Sequence, residues 1–150
     1  MKRILTLTAF VLSLITAAGQ KGLNIGIYFS DHYKDLTAAS VYIEGSDLSP
    51  YNLSLFRSIT LTAETTPQKS WLLLEQRVVA DAKLATKTEV AMIGTRLYYG
   101  FYALPPLDGK TNRYIFYRNN LLKPEVKPQE IMLVYIEGKA SSAELKKIFK

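Results

Sequence analysis

The sequence contains no cysteine and a single histidine in 150 residues. The first absence excludes disulfides, thiolate nucleophiles and cysteine-held metal. The second leaves too few nitrogen ligands for zinc, which takes about four N, S or O donors. No glycine-rich phosphate loop is present, because Gly22 and Gly26 fit neither G-x-G-x-x-G nor G-x-x-x-x-G-K. Charge of neither sign is concentrated. The formal charge is +6; Lys2 and Arg3 supply part of it, and about +4 is scattered over the rest. Only Lys146, Lys147 and Lys150 cluster, whereas a nucleic-acid binder shows a basic stripe, so no nucleic acid is expected as partner.

One long apolar run exists, Ile4 to Ala18, ILTLTAFVLSLITAA, preceded by Met1, Lys2 and Arg3 and followed by Gly19, Gln20 and Lys21. A positive start, a short apolar stretch and small closing residues make a secretory signal peptide. The run is shorter than the roughly twenty residues that span a bilayer. Residues 1–19 are therefore expected to be removed, with 20–150 forming one domain and no stable membrane span remaining after cleavage. The product is exported, periplasmic or secreted. About 130 residues suffice for a core without disulfides.

Asn24 to Leu36 carries apolar residues at helical spacing and predicts a first helix. Ala38–Glu44 alternates and predicts a strand, Gly45–Asn52 a loop, and Leu55–Ala63 a second strand. Thr66-Pro67 predicts a helix start. Trp71, Leu74, Val78, Ala82 and Ala85 then recur at spacings of three and four, with Trp71 anchoring the helix to the sheet. Strands are expected at 88–93, 96–104, 113–118 and 131–137, with Asp108-Gly109 turning a hairpin. Ser141 and Glu144 form a capping box for a closing helix. The order α-β-β-α-β-β-β-β-α describes an α+β two-layer sandwich, a mostly antiparallel sheet of five to six strands with helices on one face.

The chemistry-bearing residues are few. Ser30, Asp31 and His32 have the letters of a triad, but neighbours on a helix point apart and a triad is a spatial arrangement. Glu44 and Glu137 end identical strings, VYIEG. Paired carboxylates can do acid–base work; the simpler reading is two similar strand ends, each followed by a glycine turn. No catalytic residue, metal ligand or cofactor is assigned, and the chain is expected not to be an enzyme.

What the sequence has in abundance is tyrosine, ten in all, with RLYYGFYALPP the densest stretch. Alternation puts Tyr98, Gly100 and Tyr102 on one face of their strand, with Gly100 leaving a dent. If Met132, Val134 and Ile136 face the helices, Leu133 and Tyr135 face away. A helix-free face bearing Tyr42, Tyr98, Tyr102, Tyr117 and Tyr135 follows. Such rings stabilise a sheet by cross-strand pairing, and a large exposed set marks an interface. The expected partner is a protein or glycan, or a second copy in a homodimer; a small-ligand pocket between helices and sheet is the alternative, with a carboxylate-based hydrolase behind it.

GQKGL, YNLSLFRSITL, RLYYGFYALPP, NRYIFYRNN and VYIEGKASSAELKKIFK together resemble a family of small exported proteins of unknown function from Bacteroidetes-type bacteria. The resemblance implies export and an α+β layout, and no activity.

Overall fold

A computed structural model describes residues 22–30, 33 and 37–149. The segment expected to be a signal, and Asp31 and His32, lie outside these residues. Six strands are present: β1 Ala39–Glu44, β2 Leu53–Leu61, β3 Lys87–Ile93, β4 Arg96–Leu107, β5 Thr111–Asn119 and β6 Ile131–Gly138. They form one sheet in the order β1-β2-β6-β5-β4-β3, and every neighbouring pair is antiparallel. Together with the helices this is an open antiparallel α+β arrangement.

Two α-helices accompany the sheet, α1 Gln68–Ala82 and α2 Ser142–Ile148. Ser141 caps α2 with the expected box, its side chain accepting from the Glu144 amide. Pro67 occupies the N-cap of α1 without a side-chain bond; Thr66 lies before it, its carbonyl accepting from Trp71 Nε1 at 3.0 Å. The first segment is a 3-10 helix, Asn24–Phe29, and leaves it at Ser30 in extended backbone. Over residues 24–29 the expected α-helix is therefore corrected to a tighter 3-10 coil; residues 31, 32 and 34–36 of that expectation lie outside the described residues. The expected loop 45–52 contains a second 3-10 helix, Ser46–Tyr51. Asp108 and Gly109 both take positive φ, 50° and 72°, which is the twist a tight hairpin needs; β4 and β5 run further into this turn than their sequence spacing suggested.

Helical segments cover both faces of the sheet, which corrects the expectation of helices on one face. On the first face α1 and the Asn24–Phe29 segment pack over Ile59, Tyr102, Ile115, Tyr117, Leu133 and Tyr135. On the second, α2 packs Leu145 over Phe101, Tyr114, Phe116, Val134 and Ile136, and the rings of Phe116 and Phe149 stack with centroids 5.1 Å apart. A sheet enclosed on both faces needs central strands that are apolar at every position, which is what IMLVYIEG of β6 supplies.

Gly100 is not a dent open to a partner. The ring of Tyr102, two residues on and 2% exposed, folds back across it, so a Cβ at Gly100 would meet Tyr102 ring atoms at 2.6 Å. A Cβ at Gly138 would meet the carbonyl oxygen of Asn52 and Cα of Leu53, both at 2.6 Å. Gly100→Ala is expected to cost about 1–3 kcal/mol by overpacking. Gly138→Ala is expected to cost more, since backbone yields less than a ring. Urea midpoints check this; equal midpoints for both variants and the parent would contradict the packing.

Candidate binding site

The site is built from the N-terminal segment and the first two strands. Asp81 sits in the last turn of α1 and is buried. The carbonyl end of a helix disfavours a carboxylate, so this group needs donors, and three supply it. The Asn24 amide lies 2.7 Å and the Asn24 side-chain amide 2.9 Å from Oδ1, and the Ile25 amide lies 2.9 Å from Oδ2. Asp81 thereby fixes the start of the Asn24–Phe29 coil, and Ile25 is buried beside it.

Two arginines hold the rest of that coil. Arg77, one turn earlier on α1, donates to the Tyr28 hydroxyl at 3.0 Å and to the Tyr33 hydroxyl at 3.5 Å, and those two rings lie 5.0 Å apart. Burial raises the Tyr28 phenol above its ordinary value although Arg77 opposes the shift. Arg57, on β2, donates to the Phe29 carbonyl. Its guanidinium lies 4.8 Å from the Tyr42 ring and 5.2 Å from the Phe29 ring, within cation–π range of both. Partial burial lowers the Arg57 pKa, while Tyr42 and Glu44 act the other way.

Between this segment and strands β1 and β2 lies a cavity of about 150 Å³. Tyr28, Phe29, Tyr33 and Tyr42 supply ring surface, Arg57 a cation, and Ser30, Thr37, Ser40 and Ser58 hydroxyls. The lining is therefore mixed, ring faces beside a cation and hydroxyls, a combination that can fix the orientation of a polar ligand. Two larger but more open hollows lie elsewhere, one of about 290 Å³ beside Asn52 and Gly138 and one of about 370 Å³ beside Glu89 and Lys146. Among the described residues no three His, Cys, Asp or Glu side chains converge to hold a metal, and no helix is long and apolar enough to cross a membrane.

Of the five tyrosines expected on one bare face, Tyr102, Tyr117 and Tyr135 do share a face, but that face is not bare. Tyr102, Tyr117 and Tyr135 are buried beneath α1. Tyr98 sits at the irregularity where β4 slips against β3 between Ala91 and Met92, and its ring receives Lys123 at 4.4 Å. Only Tyr42 is largely exposed, at 54%. The correction has one cause. Leu133 and Tyr135 of β6, not Val134 and Ile136, point to the long helix, and β6 offered no polar residue to betray its parity.

The twin VYIEG strings flank β2 in one register: Tyr42 and Tyr135 both pair with Arg57, and Glu44 and Glu137 both pair with Leu55. Each tyrosine donates to the glutamate two residues on, at 2.7 Å and 2.8 Å. The bond to Glu44 holds the Tyr42 phenol above its ordinary value. Burial raises Glu137, against Tyr135 and Arg113. Sequence reasoning missed Arg57, Asp81 and Arg77. Arg57 had a signal, an arginine inside an alternating strand at an inward parity.

A protein-family profile described as a family of unknown function (DUF6108) matches residues 12–149, and the chain belongs to that family. Neither the curated proteins nor the solved structures contain a match to it.

Asp81→Ala leaves the buried Ile25 amide and the part-buried Asn24 amide without an acceptor and is expected to cost about 3 kcal/mol, since hydrogen bonds to a charged group contribute roughly 1.5–3 kcal/mol each and are not additive. Hydrogen exchange checks it: the Ile25 amide loses protection while that of Leu133 keeps it. The buried phenols give a second expectation. Burial raises Tyr102 from 10.0 to about 12 and raises Tyr117 and Tyr135 as well. The unfolded chain ionises first, near 10.0. The neutral phenols' contribution is therefore fully present below that pH and is lost as pH climbs through the folded values. In an ultraviolet titration these three phenolates should form together with loss of the circular dichroism signal. Ionisation of every tyrosine near its ordinary value with the fold intact would contradict their burial.

Proposed function

We propose that this member of the DUF6108 family is an exported, non-catalytic binding module whose working site is the cavity beside Arg57. The observation that carries the reading is the convergence of four aromatic rings, a guanidinium and several hydroxyls on one recess that three separate polar anchors hold open. The recess is small beside the roughly 300–1,000 Å³ of pockets that enclose drug-sized ligands. It suits one sugar unit of a glycan: a C–H face on a ring and oxygens toward Arg57 and the serines. The non-catalytic half of the reading is supported by how the carboxylates are employed. Asp81 is occupied by three donors and Glu137 by a tyrosine, so neither is poised on open space.

Export is supported by the order of residues 1–21, a positive start, a short apolar run and small closing residues. The enclosed interior of the sheet, which carries most of the tyrosines, favours recognition at the N-terminal side, where the first strand is exposed along its whole length.

Titration of the labelled protein with a panel of monosaccharides, observed by amide chemical shifts, tests the reading. Shifts are expected at Ser40, Tyr42 and Ser58, with affinity falling at least tenfold in Tyr42→Ala, a substitution at an exposed position that leaves the fold intact. Absence of any shift across the panel, or shifts confined to residues remote from Arg57, would overturn it.

A further inference from the structure

An open sheet has two edges, and the two edges of this one are unlike. Strand edges invite pairing with another chain, and proteins guard them with charges, proline, bulges or covering elements. At β3 the guards are present. Lys87 and Glu89 lie along it, its pairing with β4 slips between Ala91 and Met92, and Lys146 of α2 reaches over to Glu89. At β1, among the described residues, the one such guard is Glu44 at the strand's end. ASVYIE contains no Lys, Arg or Pro, and its pairing with β2 runs from Ala39 to Glu44 without a slip. All six residues are exposed, among them Val41 at 44% and Ile43 at 36%.

The direction of the unused backbone groups follows from the register. The Gly45 amide donates to the Ser54 carbonyl at 3.2 Å, and Glu44 stands opposite Leu55. In an antiparallel pair, hydrogen-bonded and non-hydrogen-bonded positions alternate. Ala39, Val41 and Ile43 therefore bond to β2, and Ser40, Tyr42 and Glu44 turn their amides and carbonyls outward.

We propose that β1 pairs with β1 of a second copy of this chain, antiparallel about a two-fold axis at Tyr42, making one continuous sheet. In this register Tyr42 faces its mate, Ser40 faces Glu44 and Val41 faces Ile43. The outward groups then make about six inter-chain hydrogen bonds. No like charges stand opposite each other. The two Glu44 side chains are four residues apart along the strands, roughly 13 Å, beyond the screening length of about 8 Å at physiological salt. On one face Val41 and Ile43 of the two copies close into an apolar strip, and such cross-strand pairs stabilise an antiparallel sheet. A second copy fits this edge better than a charged partner strand, because β1 has one charge, at its end. The pairing does not depend on what the cavity binds.

Analytical ultracentrifugation of the purified protein, with Ile43→Lys and Val90→Lys as variants, tests the pairing. Ile43 does not line the cavity, so loss of dimer and loss of ligand binding are read separately. The parent and Val90→Lys should sediment at twice the chain mass at tens of micromolar, and Ile43→Lys at the chain mass. Single cysteines give an independent readout in a chain that has none. Tyr42→Cys places two Cα atoms about 5.5 Å apart across the axis, inside the range a disulfide spans, and should cross-link on oxidation, whereas Ile43→Cys should not. A parent that stays monomeric, including one that instead takes up a strand from a different protein, overturns the proposal. So does a dimer that survives Ile43→Lys, or one that Val90→Lys breaks. If Ile43→Lys fails to fold, the cysteine pair decides: cross-linking at 42 alone upholds the register, and cross-linking at neither or at both overturns it.

Discussion

The buried carboxylate of Asp81 is the constraint from which the N-terminal side of the molecule follows. A negative group at the carbonyl end of α1 is unfavourable unless donors surround it. The donors available are the first backbone amides of the Asn24–Phe29 coil and the Asn24 side chain. Satisfying Asp81 therefore means docking that coil, and docking the coil delivers Tyr28 and Phe29 to the sheet. Arg77 then orients the tyrosine hydroxyls and Arg57 fastens the Phe29 carbonyl. The cavity exists because three polar anchors hold a short coil against β1 and β2, where burial of a few apolar side chains alone would leave its orientation loose. Polar anchoring of this kind contributes more to geometric definition than to net stability.

Much of the element list was legible in the sequence. The strands at 39–44, 87–93 and 131–138, the Asp-Gly hairpin and the capping box of α2 all appear close to where local pattern puts them, because alternation, turn chemistry and capping are properties of adjacent residues. The faces were not legible to the same degree. Parity is readable when one side of a strand is polar, and β4 and β6 are apolar on both sides, being enclosed by α1 on one face and α2 on the other. The tyrosines went wrong for that reason. Spacing alone puts Tyr102 and Tyr135 on an open face, while the tertiary structure sets them under the long helix, because the position of α2 is not encoded in adjacent residues. The 3-10 coil was misread for a related reason. Its apolar spacing fits a helix, but its conformation is set by Asp81, far away in sequence.

Identical pentapeptides make the same point from the other side. VYIEG occurs in β1 and in β6, and locally the two behave alike: both are strand ends, both place a tyrosine beside Arg57, and both form the same tyrosine–glutamate bond. Their environments differ completely. Tyr135 lies fully buried between β2 and β5, and its glutamate is raised by burial; Tyr42 lies at the sheet edge in solvent. Even the closing glycines serve different ends. Gly45 takes φ 89° with nothing near its missing Cβ, a conformation that side chains resist, whereas Gly138 is needed because the backbone of Asn52 and Leu53 leaves no room. One string meets two demands because a strand's neighbours decide which of its properties matter. In the middle of the sheet its apolar residues make core. At the margin the same residues stand exposed, and both the cavity wall and the open backbone of β1 are consequences of that position.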